Sequence, residues 1–145
     1  MSFKGVARGE IRNRDRYRQP VSFGGLVYGK ITPTDVDGYI EYRDTVFVFF
    51  EVKLRGTSIG YGQLTALTRL VDNLRENGKH AIVIKCEHDE HDTDAEVDAA
   101  CAEVAGVYWH TWEEKSGMTA REFIDKYYAL LKECGVRTPL DEGGP

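Results

Sequence analysis

Asp35, Asp37, Glu51 and Lys53 are the residues whose types and spacing most suggest chemistry. Residues 46–53 (VFVFFEVK) are β-branched and aromatic up to the last three positions, so a strand covered on both faces ends in a carboxylate and an ammonium. Side chains two apart on a strand share a face, which sets Glu51 and Lys53 in line with Phe47 and Phe49 at a core margin. An unpaired charge there costs several kcal/mol, so the two must be compensated by each other, by a cation or by exposure. Asp35 and Asp37, also two apart, bring further carboxylates from the preceding segment. Three carboxylates and a lysine gathered at a strand end would suit magnesium or manganese, hard ions that keep waters and take up phosphate oxygens. Phosphodiester hydrolysis uses that chemistry.

The surrounding elements must bring these residues together. Residues 35–42 (DVDGYIEY) alternate, with Asp35, Asp37, Tyr39 and Glu41 on one side, which predicts a strand. Arg43, Asp44 and Thr45 then make a tight connection into 46–53, giving a hairpin. After a loop at 54–60, Leu64, Leu67, Leu70, Val71 and Leu74 recur at three- and four-residue spacing, so 61–76 is an amphipathic helix stopped by Asn77-Gly78. Residues 80–86 (HAIVIKC) are a second buried strand, parallel to the first because a helix crosses over between them. Residues 87–103 hold eight acids and no Lys or Arg, and predict a loop and a solvated helix. Residues 104–112 predict a last strand. Thr119-x-x-Glu122 is a capping box opening a helix over 120–133, which Gly135 ends. The expected fold is α/β: a mixed central β-sheet, made of a hairpin plus a βαβ unit, flanked by helices. One domain is expected, with 1–30 its basic N-terminal segment, 31–135 its core and 136–145 a loose tail.

Pro33-Thr34-Asp35-Val36-Asp37, followed fourteen residues beyond Asp37 by Glu51-Val52-Lys53, resembles the PD-(D/E)XK nuclease motif over roughly residues 31–85. Thr34 interrupts the literal Pro-Asp pair, and either aspartate could be the motif residue. Asp37 is preferred because its distance to the triplet resembles that of the GE(I/L)D…ExK subgroup. The layout is similar to small phage or bacterial members, including Holliday-junction-resolvase-like and VRR-NUC-like groups. Leu67, four after Gln63, differs from the Tyr of the QxxxY motif in RecB-like members. The resemblance implies a restriction-endonuclease-like core and a DNA endonuclease dependent on Mg2+ (or Mn2+). It implies that Asp37 and Glu51 bind the metal with the main-chain carbonyl of Val52, Asp35 being a further candidate. Lys53 would orient or activate the attacking water, and Gln63 would support the site from the following helix. Many members act as dimers, so a homodimer is among the implied assemblies.

Charge is distributed unevenly. The net charge is −5, yet residues 1–30 carry seven Lys or Arg against two acids, +5, which leaves −10 on the remaining 115 residues. Arg12, Arg14, Arg16, Arg18 and Lys30 are therefore the candidates for contact with DNA phosphates, beside the plainer reading of a solvated basic face. Glu10 is a candidate for an extra acid on a first helix. Cys86, Cys101 and Cys134, odd in number and far apart, suggest neither disulfides nor a zinc site. No apolar run approaches the roughly 18 to 20 residues of a membrane span, and the start lacks the apolar block of a signal peptide, so no membrane partner and a cytoplasmic location are expected. His88 and His91 read as a solvated acidic loop, and Tyr108, Trp109 and Trp112 as core. The glycine-rich 56–62 lacks the Lys-Ser/Thr of a nucleotide-binding loop. A catalytically idle binding module on the same fold, and a small α/β regulatory protein, are the alternatives to an enzyme.

Overall fold

The computed structural model describes residues 20–143, and the chain divides into two units after Pro33. In the described part of the first unit, a 3-10 turn at Gly24–Leu26 precedes a small bridge between Tyr28 and Ile31. Gly29, at φ 62°, makes the reversal possible, and Lys30 stands beside it, exposed.

The second unit is a five-stranded sheet with one helix on each face. Its strands are β1 (Gly38–Tyr42), β2 (Val46–Leu54), β3 (His80–His88), β4 (Glu103–Tyr108) and β5 (Trp112–Glu114), side by side in chain order. Only β2 and β3 are parallel, joined by helix α1 (Tyr61–Glu76), while the other pairs are antiparallel. Helix α2 (Ala120–Glu133) follows β5. The mixed α/β sheet built from a hairpin and a βαβ unit is thus as the sequence patterns require.

Strand β2 explains the two-sided core. Its Phe49 packs with Val83, Leu67 and Val71 on the α1 side, and its Val46 and Val48 pack with Ile82, Ile84, Val104, Tyr128 and Leu131 on the α2 side. Each such side chain taken out of water contributes about 1.5–3 kcal/mol. Both helices end as their glycines dictate. Gly78 and Gly135 adopt φ 80° and 82°, and the backbone pairs Gly78–Arg75, Lys79–Leu74, Gly135–Lys132 and Val136–Leu131 close a Schellman motif at each end. The capping box of Thr119 and Glu122 opens α2 as expected.

Four details depart from the sequence patterns. The first strand begins at Gly38, so Asp35 and Asp37 lie in the segment leading into it. Residues 87–103 form no α-helix. Carboxylates there accept from backbone amides two residues on (Glu90 to Asp92, Asp92 to Asp94, Asp98 to Ala100), closing local turns that compete with helix, and only a 3-10 turn forms at Ala99–Cys101. The expected strand 104–112 is two strands, turning at 109–111, with the Trp109 indole donating to Glu113 across the turn at 3.1 Å. Residues 136–143 do not trail loosely. Thr138 is fully buried and caps a 3-10 helix, Pro139–Glu142, whose Glu142 accepts from the Tyr42 hydroxyl at 2.8 Å and pairs with Arg43 at 3.0 Å.

Candidate active site

The hairpin and the helix after it bring Asp37, Glu51, Lys53 and Gln63 to one place. In the β1–β2 ladder Gly38 faces Phe50, so one step further out Asp37 comes opposite Glu51, both on the α1 face of the sheet. The Tyr39 ring stacks on Phe49 at 5.6 Å on that same face. Asp37 is fixed by a 2.7 Å hydrogen bond in which its Oδ2 accepts from the Val52 amide. A residue's N–H and C=O leave a strand on the same side, so the Val52 carbonyl is also directed toward β1, beyond the point where the ladder has ended.

Glu51 is 0% exposed, a carboxylate inside the core layer. Gln63 Nε2 donates to its Oε2 at 2.8 Å and to the main-chain oxygen of Asp35 at 3.0 Å, tying the helix to both strand ends. Lys53 Nζ lies 2.9 Å from Oε1 in an ion pair, so each oxygen of the buried carboxylate has one polar neighbour. Burial dominates its titration and raises the Glu51 carboxyl above the ordinary glutamate range, against the pull of Lys53 and with the negative Asp37 adding to the rise. Lys53 is held above its ordinary value chiefly by its contact with Glu51.

This donor set suits a hard divalent cation. It offers one buried carboxylate, a second carboxylate across the strand and a directed main-chain carbonyl, and magnesium uses one or two carboxylates while keeping waters. Among the described residues no three His, Cys, Asp or Glu side chains gather around a point, so a closed cage of side chains is not what the site offers. Asp35 contributes its main chain through Gln63, and its exposed side chain does not join the hydrogen-bonded cluster.

The sequence patterns overlooked Lys85. In the parallel β2–β3 ladder it is the direct neighbour of Glu51 on the α1 face, half-buried and, among the described residues, with neither ion-pair nor hydrogen-bond partner. A lysine inside an otherwise apolar strand was the available signal. Helix α1 has Gly60 as its N-cap and no acid in its first turn, and among the described residues no side chain caps its leading amides beside Gln63.

Other candidates fall outside the cluster. Arg12, Arg14, Arg16, Arg18 and Glu10 lie outside the described residues. His88 Nδ1 accepts from the Glu90 amide within its own loop. Cys86 is buried, and burial pushes its thiol up to about 11, as expected of a packed cysteine. Tyr108 and Trp112 pack in the α1 layer. Among the described residues no helix is long and apolar enough to cross a membrane. No family model, curated protein or solved structure matches the chain.

Proposed function

We propose that this chain is a divalent-metal-dependent nuclease hydrolysing DNA phosphodiester bonds, with a restriction-endonuclease-like core. The single observation that carries the reading is Glu51. A fully buried carboxylate, raised by that burial although Lys53 and Gln63 both approach it, is a destabilising choice for a core, and such groups persist where they serve a site.

Asp37, Glu51 and the Val52 carbonyl would hold magnesium or manganese, which supplies Lewis-acid polarisation of a phosphoryl oxygen and a more acidic bound water. Gln63 keeps the Glu51 carboxylate in one orientation by donating to Oε2. Lys53, held by its ion pair with Glu51, would orient the attacking water and offset negative charge as the phosphorus becomes five-coordinate. Lys85, unpaired among the described residues and beside Glu51, would bind a non-bridging phosphate oxygen, and the start of α1, which has no side-chain cap, favours an anion on the same side. Arg12, Arg14, Arg16, Arg18 and Lys30 serve as further phosphate contacts.

The test is cleavage of supercoiled plasmid, single-stranded circles and a four-way junction in magnesium or manganese, comparing the chain with Glu51→Gln and Lys53→Ala. Metal-dependent cutting lost in both variants supports the reading. No cutting, with a metal-dependent rise in melting temperature that Glu51→Gln removes, leaves a binding module with an idle site. Neither cutting nor metal response overturns both.

A further inference from the structure

Tyr39 lies on the edge strand β1, on the face of the sheet that carries the candidate site. Side chains two apart share a face, which makes Asp37 its neighbour along the chain, roughly 7 Å away by the rise of two extended residues. Across the ladder Tyr39 faces Phe49, and the two rings stack with centroids 5.6 Å apart and planes 23° from parallel. Phe49 is itself packed in the core under α1, so the stack is anchored at its inner end. Its outer end is open, because no strand flanks β1 on that side and Tyr39 is 62% exposed. A ring held in place with a free face, a nucleotide's reach from Asp37 and Glu51, is a platform on which another flat π-system can extend the stack.

Stacking and charge together select the occupant. Inside a duplex both faces of a base are already stacked, so a base that lies on Tyr39 is unpaired. Residues 31–145 carry a net −10, and a duplex brings two phosphates for each one that a single strand brings, so this surface opposes a duplex more strongly. Glu41, the next side chain of β1 on the same face and exposed, sets a carboxylate beyond the ring, which disfavours a phosphate there and limits the contact to one nucleotide. We infer that the substrate is a DNA strand with an unpaired base beside the scissile phosphate, and that Tyr39 stacks on that base while the Asp37–Glu51 cluster takes the phosphate. The inference rests on the nuclease reading and deepens it by naming the form of the substrate.

Steady-state cleavage of a single-stranded circle and of its relaxed circular duplex in magnesium, by the full chain, Tyr39→Leu and Tyr39→Trp, tests it. Leucine keeps an apolar contact with Phe49 but has no π-face, and tryptophan restores one. The single strand is expected to show the lower KM. Tyr39→Leu should raise that KM about five- to hundredfold with kcat little changed. Tyr39→Trp should bring it back to within a few-fold of the starting value, and the KM of the duplex should not move. Preference for the duplex, an unchanged single-strand KM in Tyr39→Leu, or equal losses in both variants would each overturn the inference and leave the nuclease reading standing. If neither circle is cut, the nuclease reading falls, and anisotropy of a labelled single strand then decides: binding weakened by leucine and restored by tryptophan keeps the stacking contact on an idle site, and any other result overturns the inference as well.

Discussion

At the scale of single residues, Glu51 sets stability against function. Its raised carboxyl means that the fold disfavours the ionised form, a penalty fully present above the folded pKa and relieved as pH falls through it. Glu51→Gln should therefore abolish cleavage while holding or raising the melting temperature, by a few degrees for each kcal/mol recovered. The gain should be largest at neutral pH and fade in acid; a marked fall at neutral pH in thermal melts would contradict the account. On the proposed reading the same shift also sets metal affinity. Magnesium binding should weaken as pH drops through a midpoint above the ordinary glutamate value of about 4.3, which calorimetric titration across pH 4 to 8 would reveal. Gln63→Ala leaves Oε2 buried without a donor and should cost about 1–3 kcal/mol in denaturant unfolding. The strand-end charges made Glu51 and Lys53 legible in the sequence because apolar neighbours set them off. Lys85 was not, since its closeness to Glu51 depends on a parallel register that no local pattern encodes.

At the scale of elements, the hairpin that carries the site bears local strain. Arg43 and Asp44 both sit in the left-handed region, at φ 49° and 56°, the conformation of a two-residue turn that prefers Asn-Gly. Asp44→Gly should stabilise the chain by about 1 kcal/mol, less a few tenths for the exposed ion pair with Lys79, whereas Gly135→Ala at φ 82° should destabilise it by about 1 kcal/mol. Melting temperatures moving in opposite directions would bear this out. Helices were legible because caps and 3.6-residue periodicity are local. The split of 104–112 into two strands was not, because a run of large side chains reads alike whether straight or folded at 109–111. The acidic stretch 87–98 misled for a related reason: a composition that tolerates helix also supplies side chains that close turns with the backbone.

At the scale of the whole molecule, charge decides what can approach. The chain past residue 30 is strongly acidic, so the proposed DNA binding would lean on the arginines of the N-terminal segment. Replacing Arg12, Arg14, Arg16 and Arg18 by Ser should raise KM for DNA with little change in kcat, and flatten the dependence of log affinity on log salt by roughly 0.9 per lost phosphate contact. A change in kcat alone, measured at fixed salt, would assign those arginines another role.

The order of the strands has one more consequence. Each strand lies beside the one that precedes it in the chain, and Glu51, Lys53 and Gln63 belong to β2 and α1, with Asp37 just ahead of β1. During synthesis, the hairpin, α1 and β3 can assemble as soon as residue 88 has left the ribosome, before β4, β5 and α2 exist. The carboxylate at the centre of the candidate site is then laid down among the earliest contacts, and the later half of the chain closes over the opposite face of a sheet whose charged end is already in place.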